Sequence, residues 1–142
     1  MRVIFCAVAM LACLAAPSDA QTEDGPQAAY VEVGGSTMFY SLNAEQPLAP
    51  NRTVRIGAML LPHLIGATTS INQLVGRGEH RVVLGLGLMF VRGGDGQLSA
   101  GTATIGYRHM RREGSFFQFA ATPFITTRGV HRYLGVSFGK SY

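Results

Sequence analysis

Hydrophobic and polar residues alternate with a period of two along most of the chain from about residue 29 onward, which predicts β-strands. In Arg81–Val91, for example, bulky apolar residues alternate with small or polar ones. No helical periodicity is sustained over three turns. The alternating segments are Thr37–Glu45, Thr53–Leu60, Ala67–Leu74, Arg81–Val91, Thr102–His109, Phe116–Phe124 and Arg132–Tyr142.

Turn-forming residues separate these segments and predict short reversals at Gly76–Glu79, Arg92–Gly96 and Arg111–Gly114. The seven alternating segments predict seven strands. An eighth arises if the segment Ala29–Glu45 breaks at Gly34-Gly35. Single-chain bacterial barrels have even strand numbers, so the choice between seven and eight strands stays open. We predict an all-β fold, a small antiparallel up-and-down β-barrel of about eight strands.

Glycine supports a narrow barrel. The chain has 18 glycines, and all of them lie among the 122 residues after residue 20. Glycine therefore makes up about 15% of that part, against a usual frequency of about 7%. Some serve turns, but others lie inside predicted strands, where glycine weakens an ordinary sheet. On the concave face of a narrow barrel, small residues permit tight curvature and leave room in the lumen. The glycines within strands are Gly57, Gly85, Gly87, Gly106, Gly135 and Gly139.

Alternation alone fits two orientations of the strands: a membrane barrel with an apolar exterior, and a lipocalin-like soluble barrel with an apolar interior. The small-and-polar faces contain few charges, too few for a water-exposed surface. They do contain Arg55 and Arg108. We therefore favour the membrane orientation, in which these arginines face the lumen and pair with Glu32 or Glu45.

The first twenty residues predict a cleaved secretory signal peptide, with a positive start at Arg2, an apolar run Val3–Ala16 and small residues before Gln21. The apolar run is shorter than the ~20 residues of a spanning helix. Cleavage is expected between Ala20 and Gln21, followed by a flexible leader at 21–28 and a barrel domain at 29–142. Lipoprotein processing at Cys13 is an alternative.

Both cysteines, Cys6 and Cys13, lie in the predicted signal, so the exported chain has no disulfide framework. The net charge is +4, and Lys140 is the only lysine. The arginines are scattered rather than gathered into a basic face, which excludes a nucleic-acid footprint. We predict no nucleic-acid partner.

The last segment, Arg132–Tyr142, resembles the strand by which bacterial outer-membrane barrels are recognised for assembly. Leu134, Val136 and Phe138 alternate with small residues, and Tyr142 supplies the terminal aromatic, whereas Lys140 departs from the pattern. Most of Ala29–Tyr142 resembles uncharacterised small outer-membrane β-barrel proteins of Gram-negative bacteria. The segments that carry this resemblance are Val33-Gly34-Gly35, Tyr40–Asn43, Gly101–Arg108, Thr122-Pro123 and Gly135–Gly139. The resemblance implies a fold and a location, with no known activity. The stretch Pro47–Pro62 fits it least.

No catalytic or metal-binding motif stands out, and we predict no cofactor. His63, His80, His109 and His131 are scattered, and none forms the His-x-Ser arrangement of lipid A deacylases. His131 and Ser137 share a strand face but are about 20 Å apart at ~3.3 Å per residue. We read His80 and His131 as turn or interfacial residues. Metal binding is not indicated, because there is no His-x-His, no cysteine after residue 20 and no acidic cluster.

We therefore expect an exported structural or interaction barrel of the outer membrane, with no catalytic activity and a lumen plugged by side chains. Its partners would be outer-membrane lipids and the barrel-assembly machinery. A soluble periplasmic or secreted barrel binding a small apolar ligand is the alternative, and a lipid A-modifying enzyme is the third candidate. The sequence does not determine the oligomeric state.

Overall fold

The computed structural model describes residues 27–94 and 96–142. They form one closed antiparallel β-barrel of eight strands in chain order, in which each strand pairs with its neighbours and β1 also pairs with β8. The strands are β1 Ala28–Gly34, β2 Tyr40–Ala49, β3 Arg52–Leu61, β4 Leu64–Arg77, β5 His80–Gly93, β6 Gly96–Met110, β7 Ser115–Thr126 and β8 Gly129–Ser141. The predicted fold class is confirmed, and the even strand number resolves the count.

The eighth strand arises at Gly34-Gly35, where the chain leaves β1 and enters a single 3-10 turn, Gly35–Thr37. The predicted start of the following strand at Thr37 is wrong. Thr37 lies in the turn, and Met38 has a φ of 72°, so extended structure resumes only at Tyr40. Glycine suits this break because Gly34 and Gly35 both have positive φ.

Most strands extend further than predicted because the turns are very short. The clearest predicted segment, Arg81–Val91, is part of a strand from His80 to Gly93, and β4 and β5 pair without interruption from Leu64 opposite Gly93 to Arg77 opposite His80. Turn residues that sequence analysis places outside the strands therefore join the ladder. The stretch Pro47–Pro62 supplies the end of β2 and all of β3, with a register shift between Pro47 and Ala49.

The two ends of the barrel are defined by their turns. One end carries Gln27, Tyr142 and the β2–β3, β4–β5 and β6–β7 turns; we call it the termini end. The other end carries the 3-10 turn and the β3–β4, β5–β6 and β7–β8 turns; we call it the vestibule end. In the part of the chain that the structure describes, no helix is long and apolar enough to cross a lipid bilayer.

The six strand glycines identified from the sequence, Gly57, Gly85, Gly87, Gly106, Gly135 and Gly139, face the lumen, as a narrow barrel requires. A Cβ on Gly106 would lie 2.8 Å from Cβ of Ala120, and a Cβ on Gly135 would lie 2.7 Å from Cα of Gly35 in the 3-10 turn. Real Cβ atoms do not approach so closely. Glycine at these positions therefore lets neighbouring backbones and polar side chains fill the lumen.

Candidate functional site

The interior of the barrel is a band of buried polar side chains. Seven of the eight strands contribute to it, because alternate residues of each strand point inward, whereas β5 supplies none of the buried polar residues. Large apolar side chains instead cover the outside, as Leu86 (72% exposed) and Leu134 (64% exposed) illustrate. The buried polar residues of the strands are Glu32, Ser41, Asn43, Glu45, Thr53, Arg55, Thr68, Ser70, Asn72, Thr102, Thr104, Arg108, Gln118, Thr122, Ser137 and Ser141.

The first buried ion pair joins Arg108 of β6 to Glu45 of β2 across the lumen. Nη1 donates to Oε1 at 3.1 Å and Nη2 donates to Oε2 at 2.7 Å, in the two-pronged geometry that arginine and carboxylate favour. Nε of Arg108 donates to Gln118 at 2.8 Å, and the hydroxyl of Thr53 donates to Glu45 at 2.6 Å. Both charged groups are therefore well hydrogen-bonded, which a buried ion pair needs to offset its loss of hydration.

An aromatic pair packs against this ion pair on the side of the termini end. The guanidinium carbon of Arg108 lies 4.7 Å from the ring centre of Phe116, within cation–π range. Phe116 in turn meets Tyr30 edge to face, with ring centres 5.3 Å apart. With buried Ala28 and partly buried Met110, these rings form an apolar layer below the polar band.

The second ion pair joins Arg55 of β3 to Glu32 of β1, with Nη1 and Oε2 3.3 Å apart. Glu32 also binds the 3-10 turn, because it accepts the Ser36 hydroxyl at 2.9 Å and the Ser36 backbone N–H at 3.3 Å. Ser36 and Thr37 are fully buried. The β1–β2 connection is thus folded into the lumen, where it packs against β4, β5, β7 and β8, and Glu32 holds it there.

All four charged residues named from the sequence lie in the lumen, and the structure brings them together as two pairs. Arg55 is opposite Glu45 in the β2–β3 ladder, yet its ion pair is with Glu32, while Glu45 binds Arg108 from the far side of the barrel. Sequence reasoning missed the supporting residues Thr53, Gln118 and Ser36. Their common signal was a polar side chain on the small-residue face of a strand or at the Gly34-Gly35 break.

Above the polar band, toward the vestibule end, the interior becomes apolar again. Met89, Phe124 and Ala100 form a buried cluster, with Met38 and Tyr133 packed against it. An open cavity of about 1010 Å³ lies beyond this cluster and is lined by residues of the 3-10 turn and of the three turns at this end. We call this cavity the vestibule. A smaller cavity of about 200 Å³ continues from it between Met38, Met89 and Phe124.

The histidines do not come together as a catalytic or metal site. The rings of His80 and His109 lie near the termini end with their centres 4.9 Å apart and their planes tilted by 35°, and His80 hydrogen-bonds the hydroxyl of Tyr107 rather than a serine. His63 occupies the β3–β4 turn and His131 borders the smaller cavity. His131 and Ser137 lie six residues apart on β8, and Ser137 is opposite Glu32 in the ladder. Among residues 27–94 and 96–142, no group of three or more His, Cys, Asp or Glu could hold a metal ion.

The remaining predicted site residues fall into two sets. Leu134 and Phe138 of β8 are exposed on the outer surface with Val136 between them, and Tyr142 directly follows the strand with 79% of its surface exposed. Ala20 and Gln21, the predicted cleavage site, lie outside the described residues, as does Cys13. The strand β1 begins at Ala28, the last residue assigned to the flexible leader.

Comparison with known proteins adds no relative. No family model, no curated protein and no solved structure matches this chain.

Proposed function

We propose that this chain is an integral β-barrel protein of the bacterial outer membrane, with a structural or interaction role and a closed lumen. The observation that carries the proposal is the inverted distribution of polarity: charged and polar side chains are buried inside, while large apolar side chains cover the outside. A water-soluble monomer rarely exposes a continuous apolar surface of this extent. One central outward residue per strand illustrates it: Val31, Leu42, Ile56, Ile71, Leu86, Ile105, Phe119 and Leu134, all at least 42% exposed.

The height of the apolar surface fits a bilayer. On β5 the outward residues between His80 and Arg92 are Val82, Leu84, Leu86, Leu88 and Phe90. Twelve residues at ~3.4 Å each, in a strand tilted by about 40°, span roughly 30 Å along the barrel axis, against an apolar band of about 25 Å in outer-membrane barrels. On the outer surface of β5, the charged Arg92 accordingly falls at the rim.

Aromatic residues near the rims support the same placement. Tyr107, Phe117 and Phe138 are exposed toward the termini end, and Tyr40 and Phe90 are exposed toward the vestibule end. Outer-membrane barrels place aromatic girdles at both bilayer interfaces. In this orientation the outer surface contacts lipid, and insertion would depend on the barrel-assembly machinery.

The filled lumen supports a role other than transport. Two ion pairs, the buried 3-10 turn and the apolar layers above and below them occupy the interior. Purified protein in a planar bilayer is therefore expected to give no stepwise ion conductance. Reproducible conductance steps of uniform size would contradict the closed lumen while leaving the membrane location intact.

Cell fractionation tests the location. After expression with its own leader in a Gram-negative host, the protein should sediment with outer membranes and require detergent for extraction. Its mobility on gels should change on boiling, as expected of a closed barrel. Folded protein in the soluble periplasmic fraction would refute the membrane proposal and favour the soluble ligand-binding barrel.

The absence of catalysis is part of the proposal and has its own test. Lipid A and phospholipids from cells with and without the protein should give identical mass spectra. A new or missing acyl chain that depends on the protein would favour the lipid-modifying enzyme instead.

A further inference from the structure

The vestibule and the smaller cavity beneath it combine an apolar interior with a positively charged mouth. The smaller cavity is bounded by the apolar side chains of Met38, Met89, Leu98 and Phe124 and by the ring of Tyr133. Arg128 and His131 also line it, and Arg128 lines the vestibule above. No acidic residue is among the described residues that line either cavity, and Asp95 is not one of the described residues.

We propose that this cavity binds an amphipathic monoanion, a medium-chain carboxylate whose acyl tail enters the apolar space while its head group meets Arg128. Arginine is suited to this head group because its planar guanidinium donates two parallel hydrogen bonds to a carboxylate. Arg128 has no carboxylate partner among the described residues, so its guanidinium is available. His131 supplies a second hydrogen-bonding group at the same mouth.

The size of the cavity limits the tail. At ~30 Å³ for a water-sized volume, about 200 Å³ accommodates about seven such volumes. A methylene group is similar in size to a water molecule, so the cavity matches the seven tail carbons of an eight-carbon carboxylate. Met38 and Met89 line it, and the flexibility of methionine side chains lets them repack around a tail. Longer chains would extend into the vestibule.

Met38 is the second observation that points to a site. Its φ of 72° is uncommon for a residue with a long side chain, and such conformations cluster at ligand-binding and active sites. This conformation follows the 3-10 turn that Glu32 holds inside the barrel. As a result, Met38 lines both the vestibule and the smaller cavity.

The proposed site is inside the barrel, so it does not rest on the membrane location. Binding is measured on the full exported chain, in lipid nanodiscs if the protein fractionates with membranes and in buffer if it is soluble. Methionine methyl groups labelled with ¹³C report the titration by NMR. Octanoate is the probe, octanol provides the tail without the charge, and butyrate provides the charge with a short tail. Met110 packs at the termini end and serves as an internal control.

Octanoate is expected to shift the Met38 and Met89 signals saturably and to leave Met110 unchanged, with octanol and butyrate each binding at least tenfold more weakly. Arg128→Gln should weaken octanoate binding about tenfold without affecting octanol. Arg132→Gln is the matched control, because Arg132 lies at the same rim and lines neither cavity. Non-saturating shifts shared by Met110, or equal octanoate affinities in the two variants, would overturn the proposal.

A variant that fills the cavity gives a separate test. Leu98→Trp should abolish octanoate binding, and unchanged binding in this variant would also overturn the proposal.

Discussion

Arg108 and Glu45 lie 63 positions apart in the sequence and form a two-pronged ion pair across the barrel interior, with hydrogen bonds of 3.1 and 2.7 Å. The Arg55–Glu32 pair is joined less tightly, through one contact of 3.3 Å, and Nε and Nη2 of Arg55 have no hydrogen-bond partner among the described residues. The two pairs therefore differ in strength. Arg108–Glu45 ties β6 to β2, whereas Arg55–Glu32 helps to hold the 3-10 turn.

Removing one partner of the stronger pair should be costly. Arg108→Met leaves the Glu45 carboxylate buried without its cation, and breaking a buried pair in this way costs about 3–5 kcal/mol. Urea unfolding of the barrel in detergent or lipid, followed by heat-modified gel mobility, measures the change. Arg111→Met is the matched control, because Arg111 and Glu113 are exposed and 3.7 Å apart. An exposed pair contributes at most about 1 kcal/mol.

The double variant Arg108→Met/Glu45→Gln separates pairing from simple loss of packing. With both charges absent, no isolated buried charge remains, so the double variant should be more stable than the sum of the single changes predicts, by about 1–3 kcal/mol. Strictly additive changes would show that the two side chains do not interact in the folded protein.

Glycine within the strands gives a second prediction. Gly106→Ala would place a Cβ 2.8 Å from Cβ of Ala120 and 2.8 Å from the Phe119 carbonyl oxygen, so β6 and β7 must shift apart. Overpacking of this kind costs about 1–3 kcal/mol. Gly101→Ala on the same strand is the control, because its Cβ would lie 3.9 Å from the nearest atoms. The urea midpoint should fall for the first variant and stay unchanged or rise for the second; equal midpoints would contradict the close packing.

The face that each strand turns inward could be predicted from the sequence, while the pairing of charges inside could not. Period-two alternation places Arg55 and Arg108 on the small-residue face, and the structure has both in the lumen. Which acid each arginine meets depends on the stagger of the strands around the closed barrel, which sets contacts across the lumen. Local sequence does not contain that information.

The inward direction of the 3-10 turn and the presence of the vestibule could not be predicted from the sequence for a similar reason. Gly34-Gly35 indicated a break in the chain, but the inward direction of the turn depends on Glu32 accepting hydrogen bonds from Ser36. The vestibule is assembled from residues of four separate connections, including Met38, His63, Gly94 and Arg128. Each of these residues is an ordinary turn residue when considered alone.

Export gives a third prediction, on residues outside the described structure. The intact mass of protein purified from the envelope should correspond to a chain that begins at Gln21. Ala20→Trp puts a bulky residue where the cleaving peptidase needs a small one, so the leader should be retained. Cys13→Ser should leave the mature mass unchanged. A mature chain that begins at an acylated Cys13, and that is lost in Cys13→Ser, would instead establish lipoprotein processing.

The fourth prediction is that a charged side chain on the outer surface lowers the stability of the barrel by an amount that depends on its distance from the rims. Leu86→Arg places a cation midway between the rims, where a lipid-facing arginine costs about 2–4 kcal/mol, whereas Val130→Arg, beside the β7–β8 turn, should cost about 1 kcal/mol or less. The two residues are similarly exposed, at 72% and 62%, so burial in the protein does not distinguish them. Refolding yield and urea stability in lipid vesicles measure the difference. If water covered the surface, both changes would be nearly neutral, and equal stabilities would therefore contradict the membrane placement.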